Sequence, residues 1–124
     1  MPKVLVLEDD PTNATLMEVI LSHEGFAVEV CRRAEDAFDL ARVTRFDLVV
    51  VDLDLPGSRY DGMELIRRLK AAPETAALPI IACTAALLRF EASEAKQAGA
   101  AAFLAKPYTV DNVRKLVHGL INGS

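Results

Sequence analysis

Residues 48–51 read LVVV, and Asp52 follows them directly. Four apolar residues in a row, three of them β-branched, leave a strand no polar side to turn toward water. The run therefore specifies a strand covered on both faces, which is the interior strand of a parallel sheet. Such a sheet needs helices above and below it, so this stretch restricts the chain to an α/β architecture. It also sets Asp52 at the strand's C-terminal end, the edge where ligands gather in open α/β sheets. An aspartate at that place often only forms a turn. What the other strand ends carry decides between a turn and a site.

Val4–Leu7 is a second apolar run, ending in Glu8-Asp9-Asp10. Asp10 suits an N-cap with Pro11 in the first turn, and the helix that follows has Leu16, Val19 and Ile20 at inward spacing before Gly25 stops it. Phe26–Val30 alternates like a strand near a sheet edge, and Ala34–Val43 reads as a helix with Ala37, Leu40 and Ala41 on one stripe. After the strand 47–52 comes a Gly/Ser loop, then a helix from about Asp61 to Ala71 using Met63, Ile66 and Leu69. Leu78–Cys83 is another continuous apolar strand, ending at Thr84. A fourth helix over Leu88–Ala98 is closed by Gly99; Leu88, Ala92, Ala95 and Gly99 form its inward stripe and Phe90 faces away. Ala102–Ala105 is a last short strand before Lys106-Pro107, and Thr109 caps a final helix bearing Val110, Val113, Val117 and Leu120. Strict β-α alternation gives a five-stranded parallel sheet with helices on both faces and one domain over 1–124; right-handed crossovers leave few strand orders, of which 2-1-3-4-5, flavodoxin-like, is the commonest and the one expected here.

Composition excludes several function classes. With 52% hydrophobic residues the chain can bury a core of its own, and a net charge of -4 without a Lys/Arg stripe argues against a nucleic-acid surface. The VLVL run is too short and too acidic at its end for a secretory segment, and no apolar stretch approaches membrane-spanning length. Cys31 and Cys83 lack metal-type spacing and read as buried free thiols. A cytoplasmic domain with neither nucleic-acid nor membrane partner is the expectation. His23 and His118 read as helix-surface residues, and neither has a setting that suggests a phosphohistidine.

Four of the five strand ends carry chemistry: Glu8-Asp9-Asp10, Asp52, Thr84 and Lys106. Each alone has a plainer reading, as an acidic helix start, a turn or a common strand residue. The strand order brings them all to one rim. Carboxylates crowded there repel one another and take up protons unless a cation neutralises them. Oxygen-only ligands suit Mg²⁺, while Lys106 and Thr84 offer a point charge and a hydroxyl for phosphoryl oxygens. The rim reads as a metal-assisted phosphoryl site with a carboxylate nucleophile.

EDD at 8–10, VVVDLDLP at 49–56, DG at 61–62, TA at 84–85 and KP at 106–107 together resemble the receiver domain of two-component response regulators, over essentially the whole chain. The resemblance implies that Asp52 is the phosphoacceptor, attacking a phosphohistidine on a sensor histidine kinase or a histidine phosphotransfer protein. It implies that Asp9 ligates Mg²⁺ directly, Glu8 through a water, and Asp54 through its backbone carbonyl, beside Asp52. Thr84 would be the switch hydroxyl, Phe103 the switch aromatic and Lys106 the phosphate-binding lysine, with a cis Lys106–Pro107 bond. The face of the fourth helix, fifth strand and fifth helix would then change shape and control an unidentified downstream protein, with Phe90 in contact. Such a domain is not a turnover enzyme and catalyses only its own phosphorylation and dephosphorylation. Three features depart from the family pattern: Glu8 stands in place of the commoner Asp, GSRY at 57–60 adds two residues, and position 54 is a carboxylate expected to alter phosphoryl lifetime. Two rival readings fit less well. A haloacid-dehalogenase phosphatase would carry DLD on its first strand, and a flavodoxin-like nucleotide binder would need a Gly-rich loop after strand 1.

Overall fold

A computed structural model describes the backbone of residues 1–54, 59–85 and 89–122, and their side chains except at 59–61 and 89–92. The elements alternate: β1 (Lys3–Leu7), α1 (Pro11–His23), β2 (Ala27–Cys31), α2 (Ala34–Val43), β3 (Leu48–Asp52), α3 (Arg59–Ala71), β4 (Ile80–Thr84), α4 (Arg89–Ala98), β5 (Ala102–Ala105) and α5 (Val110–Ile121). All pairings are parallel, as the alternation requires, and the strands lie in the expected order β2-β1-β3-β4-β5. Among the described residues no helix is long and apolar enough to cross a membrane.

The period-2 geometry of the strands divides the core into two layers. Leu5, Leu7, Val49, Val51, Ile80 and Ala82 face α2, α3 and α4, meeting Ala37, Ala41, Ile66, Leu69 and Ala95. Val4, Val6, Leu48, Val50, Ile81 and Cys83 face the other way, onto Met17, Ile20 and Leu21 of α1 and Val113 and Val117 of α5. β3 and β4 are buried at every residue, while edge strand β2 is only half covered. Each large aliphatic side chain withdrawn from water contributes about 1.5–3 kcal/mol toward this arrangement.

Local signals explain the helix ends. Asp10 accepts the Asn13 N–H at 3.1 Å ahead of Pro11, and Thr109 does the same for Asn112 at 3.1 Å. Gly25, with φ of 92°, turns the chain out of α1 so that the Phe26 N–H reaches the Leu21 carbonyl at 3.1 Å. Several boundaries and phases differ from the sequence expectation. Leu16 and Val19 are 47% and 57% exposed, and the buried stripe of α1 is Met17, Ile20 and Leu21, one residue on from the assigned phase. Val110 is exposed as well, because it opens α5 before the helix meets the sheet. Cys31 is only partly buried on the edge strand. Helix α3 starts at Arg59, so two residues of GSRY continue the helix backward and do not lengthen the loop. Gly57 and Ser58, and the side chains of Leu88, Phe90 and Ala92, lie outside the described residues; Ala95 of the expected α4 stripe is fully buried.

Candidate functional site

The ladder runs on past the strands and pins the rim. Glu8 donates its N–H to the Cys31 carbonyl at 3.0 Å, Leu53 to Cys83 at 2.8 Å and Lys106 to Thr84 at 3.0 Å. Glu8 continues the alternation of Val4 and Val6, Asp52 that of Leu48 and Val50, and Lys106 that of Leu104. These three side chains therefore leave the sheet on the same side. The Lys106 ammonium sits among the acids, 2.9 Å from Asp52 Oδ1, 3.5 Å from Asp54 Oδ2 and 3.9 Å from Glu8 Oε1. Asp52 Oδ1 also accepts the Asp54 N–H at 2.8 Å.

Glu8, Asp52 and Thr84 are all buried, so the negative charge is poorly screened. Burial, then a hydrogen bond with the Asp52 carboxyl, pushes the Glu8 carboxyl up to about 7. Burial pulls the Lys106 ammonium down, but the hydrogen bond and charge of Asp52 outweigh it and hold the ammonium above its usual range. Burial pushes the Cys83 thiol and the Tyr108 phenol each up to about 12, so neither is ionised at neutral pH. That leaves carboxylates as the anionic oxygen nucleophiles of the rim.

Asp54 is where the structure goes beyond the sequence reading, which gave its backbone carbonyl a place at the metal and its carboxylate an effect on phosphoryl lifetime, but no contacts for the side chain. Its side chain turns inward, accepts the Thr84 hydroxyl at 2.8 Å and also accepts the Ala85 N–H. The signal was present in DLD: residues 52 and 54 share a parity, so both carboxylates reach the same site. Gly62 has a role that spacing alone did not reveal. A Cβ there would lie 2.8 Å from the Asp52 carbonyl oxygen and 3.2 Å from a Val51 methyl, so only glycine lets α3 pack directly against the end of β3.

Asp9 faces Arg32 at 3.7 Å. Phe103 is half-buried on β5 and packs against the α2–α4 layer, in register with Ala82. The Lys106–Pro107 bond is cis. Beside Lys106 a cavity of about 320 Å³ opens between Asn13, Leu16, Ala85, Pro107 and Tyr108. The donor set fits a hard divalent cation: Glu8 and Asp52 are close enough to share a proton, and a dication relieves that crowding. Among the described residues no three Asp, Glu, His or Cys side chains gather closely enough to hold a metal alone. Backbone and water oxygens would have to complete the shell, as is usual for Mg²⁺.

Comparison with known proteins agrees with this picture. Residues 4–118 match the family model described as the response regulator receiver domain. The chain is 33% identical over 111 residues to the polar-differentiation response regulator DivK of Brucella anthropi, covering 89% of each. It is also 33% identical over 121 residues to the phosphate regulon transcriptional regulatory protein PhoB of Rhizobium meliloti, but spans only 52% of that protein. Among solved structures, the receiver domain of sensor histidine kinase PA1611 from Pseudomonas aeruginosa PAO1 superposes with a TM-score of 0.89 at 30% identity, covering 98% of both chains. That structure has a magnesium ion coordinated in its active-site cleft.

Proposed function

This chain belongs to the response regulator receiver-domain family, and on that premise we propose that it takes a phosphoryl group from a phosphohistidine onto Asp52 and passes the change to a partner protein. The donor is a sensor histidine kinase or a histidine phosphotransfer protein in the cytoplasm, and neither nucleic acid nor membrane takes part. The observation that carries this reading is a buried aspartate at the centre of the sheet's C-terminal rim with an ammonium 2.9 Å from its Oδ1.

In the transfer an Asp52 oxygen forms a bond to phosphorus while the bond from phosphorus to the imidazole nitrogen breaks. The electron pair of the broken bond returns to the imidazole. Charge on the transferring group is spread over its terminal oxygens, so the protein's part is positioning and neutralisation. Lys106 does both, because Asp52 and Glu8 keep it charged and fixed. Mg²⁺ held by Glu8, Asp9, Asp52 and the Asp54 backbone carbonyl would supply further positive charge to those oxygens. Burial restricts bulk water around Asp52, which protects an acyl phosphate from hydrolysis. Thr84 and Phe103 lie on adjacent strands that lead to α4 and α5, and they carry the switch to the α4–β5–α5 face, where the downstream protein docks with Phe90 in contact. The chain catalyses only its own phosphorylation and dephosphorylation.

The test uses BeF₃⁻, a phosphoryl mimic, with and without Mg²⁺. Amide resonances from Thr84 through Lys106 should shift only when both are present, and Asp52→Asn should abolish the response. Equal labelling of native protein and Asp52→Asn by a phosphohistidine donor overturns the assignment.

A further inference from the structure

We propose that the Asp54 carboxylate is a resident occupant of the phosphoryl-binding donors, so that phosphorylation of Asp52 must displace it. The inference rests on Asp52 being the phosphoacceptor. Three donors from two segments converge on this one side chain: the Thr84 hydroxyl at 2.8 Å from Oδ1, the Ala85 N–H on Oδ2, and the Lys106 ammonium 3.5 Å from Oδ2. A hydroxyl, a backbone N–H and an ammonium gathered on one anion are the donor types that terminal phosphoryl oxygens require.

Asp54 and Asp52 also stand side by side. The same ammonium touches both carboxylates, and the Asp54 N–H donates to Asp52 Oδ1 at 2.8 Å. A phosphoryl group on Asp52 adds a second, larger anion where one carboxylate already holds the donors. Like charges at that separation, at a buried rim, do not share one ammonium without cost. The incoming group therefore takes Thr84, Ala85 and Lys106, and Asp54 swings outward to water. The unmodified protein already has its Thr84 hydroxyl drawn to the rim by an internal anion. Asp54 thus competes with the phosphoryl group for its binding energy and sets how strongly the modified state is favoured.

The test compares native protein with Asp54→Asn and Asp54→Ala, using BeF₃⁻ with Mg²⁺ as the probe and the Ala85 amide resonance as a second readout taken without the probe. Alanine empties the donors; asparagine keeps an acceptor oxygen but loses the charge. BeF₃⁻ should bind Asp54→Ala most tightly, then Asp54→Asn, then native protein, with alanine at least about fivefold tighter, the scale of one net hydrogen bond returned to the incoming anion. The Ala85 amide should move upfield in Asp54→Ala before any BeF₃⁻ is added. Equal affinities for native protein and Asp54→Ala overturn the proposal. So do equal gains in the two variants, which would make charge alone the cause, and so does an Ala85 amide that stays in place. BeF₃⁻ binding that survives Asp52→Asn defeats the phosphoacceptor reading instead, and the Ala85 shift still decides the Asp54 contact.

Discussion

At the rim where the strands begin, Asp47 accepts the Lys3 N–H at 2.9 Å, and Arg42 meets Glu74 at 3.4 Å with both side chains 45% exposed. At the rim where the strands end, Lys106 meets Asp52 at 2.9 Å with side chains 16% and 5% exposed. The residue types are alike and the solvation is not. The first rim also borders a cavity of about 540 Å³, lined by Thr44, Asp47, Glu74 and Pro79 among others, against about 320 Å³ beside Lys106. Yet the carboxyl pushed up to about 7 is Glu8, at the far rim. Glu74, in contact with solvent, is merely held below its usual range by its own backbone N–H and by Arg42. Cavity size does not locate chemistry here; desolvated charge does.

That contrast can be broken most directly at Lys106. Lys106→Met leaves Asp52 and Glu8 buried without their cation, and should cost about 3 kcal/mol of stability at pH 7.5, measured by urea unfolding. A loss no greater than that of a surface lysine variant would show that water, and not Lys106, neutralises the rim.

Two glycines sharpen the comparison next. Gly62→Ala drives a methyl against the Asp52 carbonyl and should cost about 2–3 kcal/mol, whereas Cβ space is open at Gly119, near the other end of the molecule. Gly119→Ala should stabilise the protein by about 0.5–1 kcal/mol through helix propensity. Equal effects at the two positions would mean that α3 slides readily off β3.

The pH dependence follows from Glu8. Its carboxyl is raised in the folded state, from 4.5 to about 7, so the fold favours the protonated form. The resulting stability is complete below pH 4.5 and is lost as pH rises through about 7. Without divalent cations, unfolding free energy should fall by about 2 kcal/mol across that window, and Glu8→Gln should flatten the slope. A native curve that rises through the window would reverse the sign argued for this pair. Smallest of all is the solvated rim: Arg42→Ala should leave the urea midpoint unchanged within error, because exposed ion pairs contribute little.

Much of this was legible before any coordinates. The apolar runs 4–7, 48–51 and 78–83, each followed by a polar residue, required interior parallel strands, and with the short run 102–105 they brought Glu8, Asp52, Thr84 and Lys106 to one edge. The phase of α1 was not legible, since Leu16, Met17, Val19, Ile20 and Leu21 allow two apolar stripes and only docking on Val4, Val6 and Phe26 selects one. The start of α3 was missed for a different reason: Ser58, an N-cap residue type directly before Arg59 with Asp61 three positions on, signalled it, but the Gly-Ser pair reads equally as loop.

The sequence by itself determined the architecture, because strand and helix periods are local properties and strict alternation admits few chain paths. It also determined which residue types stand at the rim. Only the tertiary structure decided how they share it: which carboxyl keeps a proton, which acid faces Arg32, and that the Asp54 side chain takes the Thr84, Ala85 and Lys106 donors. Those outcomes depend on desolvation and on distances between residues far apart in the sequence, up to 54 positions for Asp52 and Lys106, quantities that no local pattern encodes.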